Sequence, residues 1–148
     1  MSPIKFTNTV TIDRPPAEVF AFLAAFENLS RWNYAISQTR NITSGPVRVG
    51  SQYRQTRTVP RRSEETFEVT DFEPDRRIAI RGVLGPFAAE LTYLLDRTGD
   101  ATTLTNAVHL QPPGVLSVIA PLATARIKSA VAANLDRLKQ ILERDGST

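Results

Sequence analysis

Ala123-Thr124-Ala125-Arg126-Ile127-Lys128-Ser129-Ala130-Val131-Ala132-Ala133-Asn134-Leu135-Asp136-Arg137-Leu138-Lys139-Gln140-Ile141-Leu142 decides the fold, because its apolar residues recur at steps of three and four. Extended upstream, the stripe reads Leu116, Ala120, Ala123, Ile127, Val131, Leu135, Leu138 and Leu142. Arg126, Lys128, Asp136, Arg137 and Lys139 lie opposite it. That period predicts one long amphipathic helix over about residues 115–144, with Pro121 kinking or breaking it near its first turns. About 30 residues at 1.5 Å each make a rod of roughly 45 Å. A rod of that length with a single apolar face needs a broad apolar surface to cover.

The preceding chain supplies one. Residues 5–12 alternate, with Phe6, Asn8, Val10 and Ile12 on one face and Lys5 and three threonines on the other, which reads as a strand. Pro16 and Glu18 then open a short helix to about Ala25, because proline suits a first helical turn and a carboxylate suits the positive end of the dipole. Glu27 to Trp32 reads as a second short helix or turn. Six strands are predicted next, over 34–43, 50–59, 63–72, 77–83, 87–96 and 102–111, with turn residues between them. The expected class is α+β: a seven-stranded curved antiparallel sheet with two short helices after its first strand, covered by the C-terminal helix. The chain reads as a single domain over 1–148, with Asp145-Gly146-Ser147-Thr148 a frayed tail.

Composition removes much chemistry. There is no cysteine, so disulfides, thiolate nucleophiles and cysteine metal sites are excluded. A single histidine, His109, allows no multi-histidine metal cluster, and no metal or cofactor is expected. None of the seven glycines falls into a phosphate-loop or dinucleotide spacing. The net charge is only +3 and the arginines are interspersed with acids, so no nucleic-acid stripe is read. With no targeting segment and no apolar run long enough for a stable membrane insertion, a cytoplasmic protein is the expectation. A homodimer is left open.

Several short stretches carry a resemblance. They are Pro16-Ala17-Glu18-Val19-Phe20, Leu29-Ser30-Arg31-Trp32, Val49-Gly50-Ser51-Gln52-Tyr53 and Glu68-Val69-Thr70-Asp71-Phe72-Glu73-Pro74. Gly99-Asp100-Ala101-Thr102-Thr103-Leu104-Thr105 and Leu135-Asp136-Arg137-Leu138-Lys139 complete the set. In this order and spacing the chain resembles the START-like (SRPBCC) superfamily, of helix-grip or Bet v 1-like fold, and within it the polyketide cyclase/dehydrase branch. The resemblance implies a deep, mostly apolar cavity between sheet and C-terminal helix that takes a lipid-, quinone- or polyketide-like molecule. Some members act as cyclases, aromatases or dehydratases.

Strand phase nominates the cavity residues. If Pro60-Arg61-Arg62 is the turn, residues summing to about 122 oppose each other, pairing Tyr53 with Val69, Gln55 with Phe67 and Arg57 with Glu65. All six are then expected to face inward, and the Arg57–Glu65 pair either orients a polar ligand head or is a plain cross-strand ion pair. Later strands add Ile78 and Ile80, then Leu91 and Tyr93, then Asn106 and Val108; the helix adds Ala123 and Ile127. Tyr93, Asn106 and Asn8 need hydrogen-bond partners, from a ligand, water or backbone. Trp32 and Tyr34 are read as aromatics at the cavity, and His109 is expected to point outward. Three functions follow: a carrier or sensor of a small apolar molecule; an enzyme using Glu65, Tyr93 and Arg57 as acid–base candidates; or an interaction module with no small ligand.

Overall fold

The computed structural model describes residues 3–112 and 121–145. The chain begins with β1 (Ile4–Ile12), whose alternation of inward apolar and outward polar residues matches its burial. Pro15 and Pro16 then open α1 (Pro16–Ala24), which buries Val19, Phe20, Leu23 and Ala24. A 3-10 turn (Phe26–Asn28) and a single helical turn, α2 (Leu29–Trp32), bury Phe26, Leu29 and Trp32. The strands β2 (Ile36–Asn41), β3 (Gln52–Arg57), β4 (Ser63–Glu73), β5 (Arg77–Leu84), β6 (Phe87–Thr98) and β7 (Ala101–Gln111) follow. Last comes α3 (Pro121–Asp145).

All pairings are antiparallel, in the order β1-β7-β6-β5-β4-β3-β2. The meander is closed spatially by β1, which pairs with the last strand. Bulges between Ile36 and Gln38 and between Val69 and Asp71 increase the local twist and let the sheet curl. Gly99, at a φ of 62°, lets β6 and β7 join through a two-residue turn that a side chain would strain. The seven-stranded helix-grip layout expected from the sequence is the one present.

The part of the predicted helix with Leu116 and Ala120, and the expected tail beyond Asp145, lie outside the described residues; within them α3 runs from Pro121 as a helix. One feature differs from expectation. The β3–β4 loop is five residues, Thr58 to Arg62, so opposed residues sum to 120 rather than 122. Tyr53 therefore opposes Phe67, Gln55 opposes Glu65 and Arg57 opposes Ser63. The slip is two residues, an even number, so every side chain keeps its expected face.

The core is unevenly filled. The C-terminal half of α3 buries Leu135, Leu138, Ile141 and Leu142 among Ile12, Val19, Leu23, Phe26, Leu104 and the aromatic cluster of β3 and β4. Ile141, outside the eight-residue stripe, joins because this end of α3 is enclosed on a wider arc. The N-terminal half is looser: Ile127 and Val131 are only partly buried, against a smaller cluster of Ile4, Ala89, Val108 and Leu110.

Candidate functional site

The concave face of the sheet is apolar over most of its area. Phe67 and Val69 on β4, Ile78 and Ile80 on β5, Leu91 on β6 and Val108 on β7 all line it, and all but Leu91 are buried. Polar groups interrupt it in two rows. The first crosses β2, β3 and β4: Thr39 is the Cα partner of Gln55, and Gln55 of Glu65. The second crosses β6, β7 and β1: Tyr93 is opposite Asn106, and Asn106 opposite Asn8.

Glu65 organises the first row. Its side chain is 4% exposed. Oε1 accepts from Gln55 Nε2 at 2.9 Å; Oε2 accepts from Arg57 Nε at 2.7 Å and from the Gly85 N–H at 2.5 Å. The ion pair is thus diagonal, spanning the two-residue offset that the expected register would have made direct. It is also more enclosed than a surface pair, with Arg57 only 17% exposed. Arg57 makes this contact through Nε. By holding Gly85, Glu65 also ties the β5–β6 turn to the β3–β4 hairpin at the same end of the sheet.

The second row is mixed. Asn8 Nδ2 donates to the Lys128 carbonyl of α3 at 3.2 Å, and Asn106 Nδ2 to the Thr92 carbonyl at 3.2 Å. A backbone carbonyl therefore takes an N–H from each amide. Tyr93 is buried on the same face. Trp32 packs edge-on against it, with ring centroids 6.5 Å apart, and the indole Nε1 is buried with no acceptor. Thr39 Oγ1 is likewise buried without a partner. Unpaired buried donors are uncommon, since each costs about 1–3 kcal/mol.

Thr39 is not legible from the sequence as a site residue. The bulge in β2 inserts a residue between Ile36 and Thr39, turning Thr39 inward out of simple alternation. Tyr53 is buried as expected, but inside an aromatic cluster, stacked on Phe67 at 5.2 Å and edge-on to Phe26 at 5.0 Å. Ala123 and Ile127 are partly buried on α3. Tyr34 does not reach the interior. It is 63% exposed, because β2 begins only at Ile36 and the Tyr34 N–H is held from α3 by Asn134 Oδ1 at 3.4 Å. His109 points outward, 3.7 Å from Glu90.

Two open spaces bear on the choice of site. A crevice of about 330 Å³ runs between β1 and α3, lined by Asn8, Val10, Ala132, Ala133 and Leu135 among others, so the helix does not seal against this edge strand. A larger crevice of about 580 Å³ lies mainly on the convex face, around Glu68, Arg81, Glu90 and His109. Its charged groups already form pairs, Arg81 with Glu68 at 3.6 Å and His109 with Glu90 at 3.7 Å. The unsatisfied donors described above are on the concave side.

Burial pushes the Tyr93 phenol above its ordinary value of 10.0, and burial followed by the Glu27 charge raises that of Tyr53. Both stay protonated in the folded chain where an unfolded chain would release the proton. Their contribution to stability is therefore full below pH 10 and declines as pH rises past it. Phenolate absorbance during an alkaline titration should show Tyr53 and Tyr93 ionising later than a free phenol. All three tyrosines ionising together near pH 10 in folded protein would contradict this burial.

A curved antiparallel sheet gripping one long helix defines the START-like class. The family described as polyketide cyclase / dehydrase and lipid transport matches residues 3–143, and the chain belongs to it. Among solved structures, a START superfamily protein from Mycobacterium smegmatis is similar with a TM-score of 0.80 at 16% identity, over 95% of this chain and 97% of that one. The Zhui aromatase/cyclase from Streptomyces sp. R1128 is similar with a TM-score of 0.79 at 15% identity, over 97% and 95%. TTHA0849 from Thermus thermophilus gives 0.77 at 14% identity, over 97% and 99%. At these identities the likeness is one of fold. No curated protein matches the chain. Among the described residues no helix is long and apolar enough to cross a membrane.

Proposed function

We propose that this chain, acting as a single unit, binds a small apolar molecule between the concave face of its sheet and the N-terminal half of α3. One observation carries the reading: buried polar atoms without partners, Trp32 Nε1 and Thr39 Oγ1, on an otherwise apolar inner surface. A site of this kind needs little more than apolar walls and a few polar anchors. Phe67, Val69, Ile78, Ile80, Leu91, Val108, Ala123 and Ile127 are the proposed walls. Gln55, Arg57, Glu65, Tyr93 and Asn106 are the proposed polar lining, and Trp32 closes the inner end. Partial burial of Ile127 and Val131 supports placing the ligand beneath that half of the helix. The family's lipid-transport description agrees with a lipid-, quinone- or polyketide-like ligand.

The test is native mass spectrometry of freshly purified protein, followed by thermal shift across lipids, quinones and polyketides. A retained apolar molecule, or a rise of several degrees at about 100-fold excess over Kd, is expected. A clean unliganded mass with no shift across the panel would favour an interaction module without a small ligand.

A catalytic reading draws on the aromatase/cyclase name of one structural neighbour and on Tyr93, a buried phenol that burial holds protonated and so able to donate a hydrogen bond to a substrate oxygen, though a weaker acid than a free phenol. Glu65 suits it poorly as a base, because its two oxygens already accept hydrogen bonds from three donors. If Glu65 does act in turnover, Glu65→Gln abolishes turnover and spares binding.

A further inference from the structure

The convex face carries an ordered row of charge. Glu68 on β4, Arg81 on β5, Glu90 on β6 and His109 on β7 are each the Cα partner of the next. Their signs alternate, with His109 positive when protonated. Within the chain they form two pairs, Arg81 with Glu68 at 3.6 Å and His109 with Glu90 at 3.7 Å. The flanking outward positions of β5 and β6 set Val83 beside Ala88 on one side and Ala79 beside Thr92 on the other. A hollow of about 580 Å³ lies over Arg81, Val83, Ala88 and Glu90. Cross-strand pairing accounts for the alternation of charge. It does not account for Val83, an apolar side chain left 62% exposed at the edge of that hollow.

We propose that this convex face docks a second copy of the chain about a two-fold axis parallel to β5 and β6 and midway between them. That operation lays each outward residue of β5 on the partner's equivalent of its own β6 neighbour. Arg81 then meets the partner's Glu90, and Glu90 meets the partner's Arg81. One strand further out, Glu68 meets the partner's His109. The intrachain pairs thereby join into a closed ring of Glu68, Arg81, the partner's Glu90 and the partner's His109, alternating in sign all the way round. Symmetry makes two such rings. Val83 packs on the partner's Ala88 and leaves water. Ala79, Ala88 and Thr92 are small enough for two sheets to approach to about 10 Å. Curvature restricts the contact to β4–β7, the strands nearest the axis. Exposed ion pairs are weak, but charge pairs enclosed in an interface couple strongly. A foreign partner would have to present this order of charges, whereas a second copy has it by construction. The inference goes beyond ligand binding and does not depend on it, because the proposed ligand site is on the opposite face.

Analytical ultracentrifugation at about 100 μM protein tests it, a concentration well above the Kd of an ordinary specific dimer. The wild-type chain should sediment as a dimer. Arg81→Glu sets like charges against the partner's Glu90, and Glu90→Arg does the same against the partner's Arg81. Each should weaken association by about 100-fold or more and leave a monomer. Mixed together, the two single variants should form a heterodimer, because the reversed charges then oppose each other. The double variant Arg81→Glu/Glu90→Arg should regain the homodimer. General loosening of the fold predicts neither rescue, and the double variant keeps the test open if one single variant fails to fold. A wild-type monomer, single variants that still dimerise, or variants that fold yet show no rescue in the mixture or the double variant would overturn the proposal.

Discussion

Replacing Phe26 with alanine is expected to destabilise the chain by about 4 kcal/mol, the usual range for a buried aromatic truncated in a packed core. Phe26 lies in the 3-10 turn between the two short helices and is 1% exposed. Its ring meets Tyr53 edge-on at 5.0 Å and Phe67 edge-on at 5.2 Å, while those two stack on each other at 5.2 Å. Three rings in mutual contact leave little freedom to collapse into the hole. For a chain of this size the loss corresponds to a fall in Tm of roughly 8–16 °C. Calorimetry or thermal circular dichroism checks it. A fall of only one or two degrees would mean that the cluster repacks and that the helical cap is not fixed by it.

Gly82→Ala should cost nearly as much, about 3 kcal/mol, for a different reason. A Cβ at Gly82 would stand 2.5 Å from the Thr66 carbonyl oxygen, 2.9 Å from Phe67 Cβ and 3.0 Å from Phe67 Cα. Two of those atoms are backbone of the neighbouring strand, so no rotamer change relieves the clash. Glycine sits here because β5 presses against β4 where the sheet bends, the setting in which strand glycines are retained. A useful contrast is Gly99→Ala. Nothing lies within 4 Å of its added carbon, and the cost, about 1 kcal/mol, comes only from the φ of 62°. Urea denaturation of both variants tests the comparison. Equal losses would show that close approach at Gly82 is not what the position requires.

Both residues illustrate what can be read in advance. Phe26 is visible as part of the helical spacing Val19, Phe20, Leu23, Phe26, because amphipathic period is local. Gly82 is visible only as a glycine in a strand. Its need to lack a side chain comes from Thr66 and Phe67, which reach it through strand pairing that the chain's own neighbours do not dictate. The hairpin register behaves the same way. Inward and outward faces of β3 and β4 follow from alternation and survive a slip of two, but the partners do not, because loop length sets the register. Glu65 and Arg57 can be nominated together on either register. That Glu65 also accepts from Gln55 and Gly85, and so becomes a closed neutral unit, requires the β5–β6 turn to be in place.

Periodicity and turn chemistry alone determined the order of elements, the α+β class, the inward faces of the strands and the outward placement of His109, since each depends on residues within a few positions of one another. Only the folded chain decided that Tyr34 stands in solvent, that a bulge turns Thr39 inward, and that Trp32 meets Tyr93 edge-on with its indole N–H unpartnered. Those outcomes depend on contacts between segments tens of residues apart. The twist of the sheet, its bulges and the lie of α3 set such distances, and no local pattern encodes them.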